Sequence, residues 1–220
     1  MNRFGTTLLQ LALLTLAAPG ASHAEPAPAP TSYIGLHVGG NTLEQWPAQV
    51  DFGGVKLDGK LGLRHGVHAG LALGRNTEHA RYELEYQRGQ IKIDSLALGP
   101  LVQAVDARGH YETVMANLYR KQRISGKVGV FGGLGAGWGR SVLPQTGFNN
   151  GCNCFGAASG GAWVYQGRLG LDVFLKENQS AIVQFTRLRV PGAHAGGAPS
   201  ADYARRWLSA VSVGYRVDFK

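Results

Sequence analysis

The sequence predicts an all-β chain folded as one closed, eight-stranded antiparallel transmembrane β-barrel. Three observations point there. Eight segments alternate apolar residues with polar or small ones at a period of two, the period of a strand. The connections between them alternate in length, short at 75–79, 121–126 and 176–179, long at 41–59, 88–110, 140–161 and 191–205. Where the apolar face carries tryptophan, at Trp138, Trp163 and Trp207, the ring falls beside a long connection, where an aromatic girdle belongs.

Ahead of the first strand, Arg3 precedes an apolar run from Leu8 to Ala18 and a small-x-small site at Ser22 to Ala24, so residues 1–24 read as an export signal. That run is too short to span a bilayer, which takes about 20 helical residues. Residues 25–32 form a Pro/Ala-rich stub and 33–220 the barrel. The formal charge of +8 falls to +7 once Arg3 leaves with the signal. An exported chain with no basic block beyond the pair Arg205 and Arg206 and "RKQR" at 120–123 is not expected to bind nucleic acid; anionic lipid and lipopolysaccharide are the expected counter-surface.

The first strand starts at Tyr33 and sets Ile34, Leu36 and Val38 on its apolar face. The second, from Lys60, sets Leu61, Leu63, Val67, Ala69, Leu71 and Leu73 there, with His65 interrupting. The third opposes Tyr82, Leu84 and Tyr86 to Arg81, Glu83, Glu85 and Gln87; the fourth opposes Val114, Ala116 and Leu118 to Thr113, Met115 and Asn117. The fifth carries Gly133, Gly135, Gly137 and Gly139 opposite Leu134, Ala136 and Trp138. No helix follows these glycines, so they cradle no phosphate. Inside a barrel that its own side chains must fill, they make room for larger groups.

The sixth strand, from Ala162, opposes Trp163, Tyr165, Leu169 and Leu171 to Gln166, Arg168, Gly170 and Asp172. The seventh, from Ser180, is the least regular. The eighth sets Trp207, Val211, Val213, Tyr215, Val217 and Phe219 outward and Ser212, Gly214, Arg216 and Asp218 inward. Tyr82, Tyr215 and Phe219 thus mark the girdle opposite the tryptophans. In lipid every backbone polar group needs a partner within the protein, so the sheet has to close.

Several runs resemble the small eight-stranded outer-membrane β-barrel proteins of Gram-negative bacteria, the OmpA-like and surface-antigen barrels. They are "GLALGRNTEHARYELEYQRG", "TVMANLYRK", "WVYQGRLGLDVFLKENQSAIVQFTRLRV" and the final "SVGYRVDF". The resemblance implies an outer-membrane location and a porin-family or surface-antigen role, and no cofactor is expected. It also implies recognition by the assembly machinery through the last strand, with Phe219 as terminal aromatic. Lys220 beyond that aromatic, and Phe185, Thr186 and Arg187 in the seventh strand, depart from the family pattern.

Glu83, Glu85, Arg168, Asp172, Arg216 and His68 all fall on the inward face, and in so narrow a space the charges have to pair. The expected result is a lumen plugged by ion pairs; a gated minor porin stays open as the alternative. Cys152 and Cys154, in an exported loop, are expected to be oxidised, with His194 too little to complete a metal site. A lipid A-modifying enzyme would need a nucleophile and base on the lipid face. Ser209 and His65 point outward at about the same height, but the first strand separates them by about 9.5 Å, against the 3 Å or so that proton transfer needs. No enzymatic activity is expected, and the loops name no extracellular ligand.

Overall fold

The computed structural model describes residues 31–149 and 151–219. The signal predicted for 1–24, most of the 25–32 stub and Lys220 lie outside the described residues; Thr31 and Ser32 belong to the first strand rather than to the stub.

The described residues form one antiparallel sheet: β1 (Thr31–Leu43), β2 (Trp46–Asp51), β3 (Lys56–Arg64), β4 (Gly66–Asn76), β5 (Ala80–Leu98), β6 (Leu101–Arg123), β7 (Val128–Leu143), β8 (Ala158–Lys176), β9 (Gln179–Val190), β10 (Ala193–Ala195), β11 (Ser200–Tyr203) and β12 (Arg206–Phe219). β1 pairs with β12 on one side and β4 on the other, and the ladder continues through β5, β6, β7, β8 and β9 back to β12. The pairings therefore form a circuit. A row begun at His79 passes through Lys121, Phe131, Gly170, Gln184, Ser212, Gly39 and His68 and meets β5 again at Gly89, ten residues further along. An offset of about 33 Å around such a circuit inclines the strands by about 40°.

Twelve strands form where eight are expected. β2, β3, β10 and β11 arise within or beside the stretches 41–59 and 191–205, and they pair with one another and with β5 and β8. The stretch 88–110 is no loop either: β5 and β6 run on to a tight turn at Gly99 and Pro100, where Gly99 takes a left-handed φ of 56°. The segment expected as one second strand splits at His65 into β3 and β4, and Leu61 turns inward instead of lying on the outer apolar face.

These differences share one physical cause, an inversion of polarity along the strands. In the first half of β5, Tyr82, Leu84 and Tyr86 face out while Arg81, Glu85 and Gln87 are buried. Past Gly89 the two faces exchange character: Ile91, Ile93, Leu96 and Leu98 are buried, and Arg88 and Gln90 are exposed. β12 does the same, with Ser212 and Arg216 buried at one end, Leu208 and Ala210 at the other. One zone is thus apolar outside and polar inside. The other packs Trp46, Val50, Leu61, Ile93, Phe155, Leu188 and Leu208 into a dry core and presents ion pairs such as Arg88 with Glu112, 3.4 Å, on its surface.

Candidate functional site: the enclosed charge network

Period-two strands that bury one face bring Arg81, Glu83 and Glu85 from β5 opposite Arg168 and Asp172 from β8 and Arg216 from β12. Three guanidiniums meet Glu83, Glu85 and Asp172, and Asp218 joins at the edge as a fourth carboxylate. Arg168 is central: Nη2 lies 2.8 and 2.9 Å from the two oxygens of Glu85, Nη1 donates to the Tyr119 hydroxyl at 3.0 Å and reaches Glu83 at 3.4 Å, and Nε donates to Thr186 at 3.0 Å. Glu85 also accepts from Asn117 at 2.9 Å and Gln166 at 3.1 Å. Glu83 accepts from Tyr33 at 2.8 Å, Tyr119 at 2.9 Å and Asn117 at 3.0 Å. Both oxygens of each glutamate thus have at least one donor, the condition under which buried charge is tolerated.

A second cluster lies nearer the short turns. Asp172 receives Arg216 Nη1 at 3.1 Å and Arg81 Nη1 at 3.4 Å, and Arg216 continues to Ser180 at 3.2 Å and Asp218 at 3.3 Å. The Arg81 guanidinium lies over two aromatic rings, 4.0 Å from the centre of Phe131 and 4.6 Å from that of Tyr119. Between the two clusters a cavity of about 20 Å³, lined in part by Tyr33, His37, Glu83, Arg168 and Arg216, has room for about one water.

Glu83, Glu85, Arg168, Asp172 and Arg216 come together in the structure; His68 does not join them. Its ring is buried with Nδ1 unpartnered, and it lies 5.9 Å from His37. His37 is the histidine beside Glu85, with Nε2 3.2 Å from the carboxylate but out of line for a hydrogen bond. Sequence reasoning put Arg81 on the inward face yet left it out of the network. Its inward place on the same strand as Glu83 and Glu85 was the signal that could have found it.

The glycines of β7 act through volume. A Cβ on Gly135 would collide with the Asn117 side chain that serves both glutamates, and one on Gly133 with the Tyr119 ring and the neighbouring backbone. Outside, Trp138, Trp163, Tyr82, Tyr215 and Phe219 are exposed and Trp207 is half-buried. Trp138 and Trp163 are cross-strand partners, their rings edge to face at 6.2 Å, and Tyr165 meets Trp207 at 5.3 Å. Cys152 and Cys154 are paired across Asn153, with Cα atoms 5.2 Å apart. His194 meets Asp202 at 2.6 Å, and among the described residues no group of three or more His, Cys, Asp or Glu is placed to hold a metal ion. Ser209 and His65 are not in contact: Thr42 stands opposite Ser209 in the ladder and takes the contact with His65 Nδ1 at 2.9 Å.

No protein-family model matches this chain, and no curated protein does. Solved structures match it along most of its length. Neisserial surface protein A is 11% identical with a TM-score of 0.54, the match covering 86% of this chain and 97% of that one. The outer membrane protein OprG from Pseudomonas aeruginosa is 15% identical with a TM-score of 0.57, covering 84% and 95%. At such identities the likeness is one of fold, and the fold is that of the small outer-membrane β-barrels.

Proposed function

We propose that this chain is an integral protein of the Gram-negative outer membrane, a closed eight-stranded antiparallel transmembrane barrel plugged by its own side chains, with a structural and surface-exposed role and no catalytic one. The polarity inversion carries this reading. From Val128 to Trp138 the outward side of β7 is apolar or small, and those ten residue steps at the strand inclination rise about 25 Å, the height of the lipid-facing band of such barrels. Beyond the tryptophans the same side turns to Arg140, which stands opposite Glu112 of β6 in the ladder, as a wall in water requires. The dry-cored zone then stands outside the cell and presents the loops.

The plug reading is supported by the paired charge clusters and by the small cavity, with room for about one water, between them. Lysine or arginine rows lining an open lumen would favour a porin; here each inward guanidinium of the clusters has a carboxylate partner. The test is fractionation and reconstitution together. The protein is expected in the outer-membrane fraction with heat-modifiable gel mobility and, in planar bilayers, with no steady conductance. Recovery as a soluble protein without detergent would overturn the membrane reading, and a steady channel would overturn the plug.

A further inference from the structure

We infer that the outer wall holds a specific site for one phosphorylated glycolipid, the lipid A part of lipopolysaccharide. This rests on the membrane reading above. A groove of about 760 Å³ crosses the outward face of β6, β7 and β8, where Ala116, Ala136 and Gly167 leave a shallow floor and Leu134 and Tyr165 stand beside it. Its upper end is formed by Arg187 and Trp207. Apolar floor and cationic end suit an amphiphile with an acyl chain and an anionic head.

The register gives the groove its direction. One row of the ladder runs from Tyr82 through Leu118, Leu134 and Gly167 to Arg187, then on through Ser209 to Thr42. Across inclined strands such a row climbs the wall, so the four steps from Tyr82 to Arg187 cover about 19 Å and rise about 12 Å. The low half is apolar. The high half is polar: Arg187 donates to Ser209, and Thr42 contacts His65. It lies at the end marked by the tryptophans, the outer leaflet, whose lipid in this class of membrane is lipopolysaccharide.

Charge supplies the second argument. Arg187 and Arg189 flank the Trp207 ring, 5.7 and 5.4 Å from its centre. Among the described residues neither has a carboxylate within ion-pair distance, whereas the three guanidiniums of the enclosed clusters are all paired. A guanidinium on a lipid-facing wall is costly unless an anion meets it. Planar, bidentate guanidinium recognition fits a phosphate, and the adjacent Ser209, Thr42 and His65 offer hydroxyl and imidazole partners for a sugar.

The experiment uses the whole folded protein, delipidated in detergent and titrated with diphosphorylated lipid A, its dephosphorylated counterpart and phosphatidylglycerol. Bound lipid is read by native mass spectrometry and tryptophan fluorescence. Wild type is expected to hold one diphosphorylated lipid A at least about tenfold more tightly than either other lipid. Arg187→Gln and Ala136→Phe, one removing the cation and the other filling the floor, are expected to lower that affinity about tenfold while heat-modifiable mobility persists. Equal binding of lipid A and phosphatidylglycerol by wild type would overturn the proposal without any variant. So would unchanged lipid A binding in both variants. Neither result would touch the membrane reading, which membrane fractionation decides separately.

Discussion

Arg168 and Glu85 meet inside the strand circuit with one guanidinium nitrogen 2.8 and 2.9 Å from the two carboxylate oxygens, and both side chains are buried. Removing one partner strands the other away from water. Arg168→Ala is therefore expected to cost about 3 to 5 kcal/mol, the range for a broken buried pair. Arg168→Met combined with Glu85→Gln is expected to recover most of that loss, because it removes both charges and keeps the volume. Thermal unfolding in detergent checks both, and bilayer recordings of Arg168→Ala are expected to show rare brief openings that wild type lacks. A single variant as stable as wild type would remove the pair from the account of the plug.

Glycine is required at Gly135 for space. Gly135→Ala is expected to cost about 1 to 3 kcal/mol, the usual range for overpacking, because the new methyl strikes Asn117 and disturbs its bonds to Glu83 and Glu85. Gly167→Ala, on the outward side of the next strand, meets Leu134 only at an ordinary 3.8 Å and is expected to stay within about 0.5 kcal/mol of wild type. Chemical denaturation of the two folded variants separates a volume role from a general strand preference for non-glycine residues.

The lipid-facing half of the fold was legible in the sequence because lipid outside and charge inside enforce strict alternation, as from Arg81 to Gln87. The water-facing half was not. There alternation runs in the opposite sense, with Ile91 and Ile93 buried, and slips by one residue at the bulge between Ile93 and Ser95 before Leu96 and Leu98, so a search for a continuing outward apolar face stops near Tyr86 and assigns loop beyond it. Trp46 was passed over for the same reason: it belongs to no outward face and is buried in the outer core. Within the site, five of the named ionic residues followed from alternation alone, and Arg81 with them. The hydroxyl and amide donors, Tyr33, Tyr119, Asn117 and Gln166, converge on the glutamates from three strands, and only cross-strand register reveals that.

The inversion itself predicts opposite responses on one strand face. Leu84→Arg puts a cation on the apolar band and is expected to cost about 2 to 4 kcal/mol near mid-membrane. Lys92→Leu, eight residues along the outward side, is expected to be near neutral, whereas Ile93→Asn buries an amide in the outer core and is expected to cost about 1 to 3 kcal/mol. Folded yield and unfolding in lipid vesicles check the three together. Equal tolerance of Leu84→Arg and Lys92→Leu would mean that the band does not face lipid.

Trp46 tests whether the outer zone opens separately from the rest. Its indole Nε1 donates to the Ala204 carbonyl at 2.6 Å and its ring meets Tyr203 edge on at 6.3 Å, so it fastens the chain just before Arg205 to the apolar core. Trp46→Phe keeps most of the ring but removes that hydrogen bond, a net loss of about 0.5 to 1.5 kcal/mol because Ala204 is exposed and water can reach its carbonyl. The loss falls on a contact outside the ion-pair clusters. Local opening at 204–206 is therefore expected to become about two- to tenfold more frequent, and trypsin cleavage after Arg205 in intact vesicles to accelerate by the same factor. Heat-modifiable mobility of the uncut protein is expected to persist, because the strand circuit and its charge network are untouched. Loss of that mobility in Trp46→Phe, or cleavage after Arg205 at the wild-type rate, would show that the two zones do not open independently.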